Sequence, residues 1–140
     1  MSLNDAKPSD PIPDWIVTAA QDARQLLGLD DGWHISIKMV DHPSGKPEFN
    51  GVAFVDTAYL SVRMELARDL KPDAEGHRVI MHEMMHVALA GIFQAASYGF
   101  NQLPKRARKV AMKVYNDAEE MAIQRMTRAM QRAIVPKQNE

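Results

Sequence analysis

The sequence predicts an α+β fold: one helix, a small sheet of three short, mostly antiparallel strands, then two more helices. Three observations carry this. Apolar residues recur at helical spacing between Pro13 and Leu27, segments within residues 34–64 alternate apolar with polar, and residues 105–133 contain neither Gly nor Pro. A chain of 140 residues suits one domain with a real core. We expect that domain at residues 11–134, between a disordered polar tail at 1–10 and a second polar tail at 135–140.

Composition narrows the classes. Seventeen basic residues nearly balance eighteen acidic ones, so no global field points to nucleic acid or an anionic membrane, and neither is an expected partner. The absence of Cys removes disulfides, thiolate metal sites and cysteine nucleophiles, leaving His, Asp and Glu as metal ligands. The first residues lack the apolar core of a signal peptide and no later run approaches a bilayer span, so the expectation is a soluble, cytoplasmic protein.

Taken in order, the first helix starts near Pro13, which suits a first helical turn. It buries Ile16, Ala19, Ala20, Ala23, Leu26 and Leu27, and Gly28 is placed to end it. After the turn Asp30-Asp31-Gly32, a strand at 34–40 puts Ile35, Ile37 and Met39 on one face. A Pro/Ser/Gly-rich loop follows, then a second strand at 51–55, a hairpin turn at Asp56-Thr57 and a third strand at 59–64. Residues 66–70 could add a helical turn before Lys71-Pro72 breaks it. Asp73 is the N-cap of the next helix, which should run to about Phe93. Residues 94–103 read as a loop forming the wall or lid of a site. Pro104 starts the final long helix.

The chemistry concentrates in His82-Glu83-Met84-Met85-His86, an H-E-x-x-H pattern in an apolar helix. Residues four apart in a helix lie one turn above each other, so His82 and His86 can share one cation. Glu83, about 100° from His82, leans over the same face without competing for the ion, as suits a general base acting on a zinc-activated water. Ile80, Met84, Val87 and Gly91 form the opposite, core-facing stripe. A structural His/Glu cluster would give the same pattern. The apolar setting disfavours it, because an unpaired carboxylate there costs several kcal/mol that a cation would offset.

A catalytic zinc site takes three protein ligands. No His follows His86, which leaves Asp117, Glu119 and Glu120 downstream before the polar tail. If the apolar stripe of the last helix runs through Ala111, Val114, Ala118, Ala122 and Met126, then Glu119 lies at its edge beside Tyr115. Glu120 then lies about 100° further round among solvated residues. Glu119 is therefore the expected third ligand and Glu120 a surface charge.

A helix, a small sheet, His82-Glu83-x-x-His86 on a second helix and the Glu119-Glu120 pair on a third together resemble the gluzincin type of zinc metallopeptidase. The layout is most similar to the compact ImmA/IrrE-like domains. The resemblance implies a minimal zincin-like fold and one Zn²⁺ per chain held by His82, His86 and Glu119. It also implies Glu83 as general base in peptide-bond hydrolysis and a peptide or protein substrate paired along an edge strand. Tyr59, Leu60 and Ser61 are the expected strand contacts, with Tyr98 or His77 as oxyanion stabilisers. The position one turn after Glu119, an Asp in larger gluzincins, is Ile123, so no residue is assigned to orient a ligand His.

The other reading is a catalytically latent zincin-like binding module, such as a phage or mobile-element protein, whose metal is structural. Lys105, Arg106, Lys109 and Lys113 line one flank of the last helix and read as a solvated face, because no aromatic residues interleave with them. The ten Met fall mostly at core spacing. With no second domain to wall a cleft, the site should be open and shallow, flanked by the third strand and the 94–103 loop. Specificity would then come from a partner or from homodimerisation.

Overall fold

The structure is a computed structural model that describes residues 10–29 and 32–134. The tails expected at 1–10 and 135–140, apart from Asp10, and the Asp30-Asp31 part of the first turn lie outside the described residues. The order is α1 (Asp14–Leu26), β1 (His34–Val40), a 3₁₀ turn (Pro43–Gly45), β2 (Gly51–Asp56), β3 (Ser61–Ala67), α2 (Ala74–Ala88), α3 (Ala90–Phe100) and α4 (Lys105–Ile134). The α+β class is as the periodicity predicts.

Helix α1 follows Pro13, buries Ile16, Ala20 and Ala23, and ends where Gly28 takes φ +68°. That left-handed residue lets the Leu29 N–H bond back to the Arg24 carbonyl at 2.9 Å, and Leu29 closes the core below α1.

The sheet has the three short strands expected. Its order is β1-β3-β2, with β1 parallel and β2 antiparallel to β3, so the strands are mixed rather than mostly antiparallel. The third strand was expected at an edge and lies in the centre. Its side chains explain why: Val62, Met64 and Leu66 are all buried in the core, making it the most buried of the three. β2 and β1 are the edges. The turn between β2 and β3 is also longer than two residues. Asp56 Oδ1 accepts the N–H groups of Ala58 and Tyr59 at 3.0 and 3.3 Å, and Leu60 has φ +49°, so Tyr59 and Leu60 belong to the turn and the strand runs on to Ala67.

Helix α2 starts at Asp73, whose Oδ1 accepts the Gly76 N–H at 2.9 Å, as expected of an N-cap. Gly76 is needed there, since a Cβ would sit 1.9 Å from the Lys71 carbonyl oxygen. Val79, Ile80, Met84 and Val87 are buried with the sheet and α1, each worth roughly 2 kcal/mol of apolar burial. The helix stops at Ala88, short of Phe93. Leu89 (φ −97°, ψ 2°) breaks it, and the chain turns by 52° into α3, leaving Gly91 exposed rather than in the core stripe. Residues 94–103, expected as a loop, are helical to Phe100. Helix α3 docks on α4 through Phe93 and Phe100, whose rings each lie 5.8 Å from that of Tyr115.

Helix α4 is the long helix expected, rotated from the expected phase. Ile123 and Thr127 are fully buried with Tyr115, Glu119 and Glu120 half-buried, whereas Val114 is 63% exposed and Met126 faces solvent. This rotation sets the site.

Candidate metal centre

Helix α2 carries His82 and His86 one turn apart, with ring centroids 5.1 Å from each other, and α4 crosses that face with two adjacent carboxylates. Glu120 spans the pair: Oε1 is 2.7 Å from His82 Nε2, and Oε2 is 3.2 Å from His86 Nε2. One ligand atom from each of His82, His86 and Glu120 falls within a set whose members are all within 4.8 Å, a group that could hold a metal ion.

Glu119 is not part of that group, so the candidate third ligand is Glu120 in place of the expected Glu119. The reason is helical phase. The buried stripe of α4 passes through Tyr115, Glu119, Ile123 and Thr127, which tucks Glu119 behind the histidines and swings Glu120 over them. Glu119 Oε1 lies 3.4 Å from His86 Nδ1, the nitrogen turned away from Glu120. Its other oxygen is buried with no described partner, as is Nδ1 of His82. The Tyr115 hydroxyl hydrogen-bonds Glu119, and burial followed by that carboxylate pushes its pKa up to about 12, so it stays a donor. Glu119 is thus placed beside His86, where a residue to orient a ligand His would stand and for which the sequence offered no candidate.

Glu83 is 7% exposed. Burial first, and then the Glu120 charge, push its pKa up to about 7 against the opposing hydrogen bond from the backbone of Ala53 on β2. The His82 pKa is lowered, mainly by burial; Glu120 pulls it up, while His86 and Arg78 push it down. Gly51 lets β2 pass close to this carboxylate, because a Cβ there would lie 3.0 Å from Val79 Cγ1 and 3.2 Å from Glu83 Cγ.

The three residues open into a cleft of about 750 Å³. Its walls are β2 with residues 48–50 before it, Arg78 and Val79 of α2, and Ala90 and Phe93 of α3. The site is open, as expected, but the flanks are β2 and α3 rather than the third strand and a loop. Tyr59, Leu60, Ser61 and Tyr98 do not line it. Ser61 is paired inside the sheet, Tyr59 sits in the turn, and Tyr98 projects to solvent from α3. His77 is also elsewhere, with its ring 5.2 Å from Trp15 and Nδ1 2.8 Å from the Asp73 carbonyl oxygen. Arg78 is the cation in the cleft wall, held by Glu75 through a bidentate pair. Its position one turn before His82 was the available signal.

Comparison with protein-family models, with curated proteins and with solved structures gives no match, so the functional reading rests on the site itself.

Proposed function

We propose that this chain is a zinc-dependent peptidase in which His82, His86 and Glu120 hold the ion and Glu83 is the general base. Two imidazoles and a carboxylate without sulfur form a donor set that suits zinc. A bound ion would supply Lewis-acid polarisation and a lowered pKa for water.

The observation that carries the reading is Glu83. A carboxylate buried beside the ligand group and lining an open cleft is placed as a base in hydrolysis must be, and in the metal-free chain burial holds its pKa up at about 7. Glu83 would take a proton from the attacking water and deliver it to the leaving amine, so that one group serves both half-steps. The free edge of β2 lies along the cleft, with Gly51, Val52, Ala53 and Val55 in its wall, and would align an extended peptide by backbone pairing.

The test is Glu83→Gln. Zinc-dependent cleavage of an unfolded protein such as casein should fall by at least about a thousandfold while zinc content is unchanged. Cleavage that survives the substitution removes Glu83 as the base. A zinc-loaded wild type that cleaves nothing, yet captures a partner equally well as Glu83→Gln, establishes the binding-module reading instead.

A further inference from the structure

We propose that the outer face of α3, together with the basic start of α4, docks the protein on an anionic lipid bilayer surface.

Helix α3 is exposed and uncharged. The α3 sequence, A-G-I-F-Q-A-A-S-Y-G-F, has no ionisable side chain except its tyrosine, and Ala90 alone among its described residues is buried. Phe93 and Phe100 turn inward to Tyr115, which leaves Ile92 at 61% and Tyr98 at 71% exposure on the outside, with Leu103 exposed just beyond the helix. The loop expected at residues 94–103 hid this face, and the near-zero net charge behind the expectation of no membrane partner describes the whole chain, not this local cluster. At 11 residues, α3 is about half the length needed to cross a bilayer, and no single described helix is long and apolar enough to do so. An apolar helix of this size lies in the plane of an interface, its side chains reaching the acyl boundary and its Tyr at headgroup level.

Charge selects the occupant. Four cations, Lys105, Arg106, Arg108 and Lys109, follow within five residues, in the first turns of α4. Among the described residues, the ion pair on α4 nearest to them is Lys113 with Asp117, at 3.7 Å and further along the helix. Cations in a first helical turn oppose the helix dipole, so the cluster is best stabilised by an external anion. A protein partner or a second copy would cover the apolar face. Only a surface that is apolar beneath and densely anionic above answers both halves at once, and each cation near such a surface strengthens partitioning about fivefold. Because Ala90 and Phe93 on the inner side of α3 wall the cleft, docking would hold the candidate centre within about one helix diameter, ~10 Å, of the headgroups. The proposal stands whether or not the centre is catalytic.

The test is flotation of the full chain with phosphatidylcholine vesicles, with and without phosphatidylglycerol. Wild type should float with anionic vesicles only and be released by high salt. The double variants Ile92→Ser/Tyr98→Ser and Lys105→Glu/Arg106→Glu, both at exposed positions outside the cleft, should each weaken partitioning at least about tenfold with circular dichroism and zinc content unchanged. No flotation overturns the proposal. So does flotation that survives Ile92→Ser/Tyr98→Ser, which would reduce the effect to adsorption by the basic cluster. Salt-sensitive binding to duplex DNA without vesicle binding overturns it in favour of a polyanion site.

Discussion

Glu119 and Glu120, neighbours in sequence, address opposite nitrogens of one ring: Glu119 Oε1 lies 3.4 Å from His86 Nδ1 and Glu120 Oε2 lies 3.2 Å from His86 Nε2. One helix turn therefore supplies both a candidate ligand and a candidate group to orient another. The two substitutions should separate cleanly. Glu120→Ala should abolish stoichiometric metal binding, whereas Glu119→Gln should keep it with affinity lowered about 10- to 100-fold. Competition against a chelating indicator measures both, and a larger loss in Glu119→Gln would reverse the two roles.

The buried Glu83 makes stability depend on pH in a defined direction. Its folded pKa of about 7 lies above the ordinary 4.5, so between those values the folded state keeps a proton that the unfolded chain has lost. Stability of the metal-free protein should therefore fall as pH rises through that window, by an amount on the order of 3 kcal/mol. Glu83→Gln should remove this slope, match wild type near pH 4 and exceed it above pH 7. Denaturant melts of chelator-treated protein give the comparison, and parallel slopes in the two proteins would sink the assignment.

Gly51 tests the close passage of β2 over α2. A methyl group there would crowd Val79 Cγ1 at 3.0 Å, Leu66 Cδ2 at 3.1 Å and Glu83 Cγ at 3.2 Å. Gly51→Ala should cost about 1–3 kcal/mol in chemical denaturation. The displaced carboxylate should also lower any hydrolytic rate more than it lowers zinc content. Unchanged stability would mean that β2 stands further from the motif helix.

Ile123 is fully buried on α4, one turn beyond Glu119, and α4 packs against α2. Ile123→Ala should lose about 2–5 kcal/mol, and because this buried side chain lies on the helix that carries Glu119 and Glu120, metal affinity should fall with it. Exposed Val114→Ala on the same helix should change neither by more than about 0.5 kcal/mol. Thermal melts and indicator competition on the pair give the contrast.

Much of this was legible in the chain. His82, Glu83 and His86 sit as their spacing dictates, and Asp73 caps α2 through the side chain that its residue type suggests. What could not be read is what tertiary packing decides. Helix α4 has apolar residues on two faces, Val110, Val114 and Met121 on one and Met112 and Ile123 on the other. Periodicity therefore cannot say which face turns inward, and a rotation of one residue exchanges Glu119 for Glu120. Residues 94–103 lack charge and contain Ser, Tyr, Gly and Asn, a loop composition that packing against Tyr115 overrides. Strand order is likewise invisible to alternation, which fixes faces but not neighbours.

The strand order also imposes a sequence of events on folding. β2 and β3 meet across a short turn, so their hairpin can form within microseconds of collapse, whereas β1 must close over the whole intervening segment before its parallel register with β3 exists. Until β1 arrives, the apolar strand Ser61–Ala67 has one edge unpaired and its core face uncovered. Docking of β1 is therefore the step that topology makes slow. The species waiting for it is the one most exposed to aggregation, so solubility during synthesis depends on how quickly His34–Val40 finds its place beside β3.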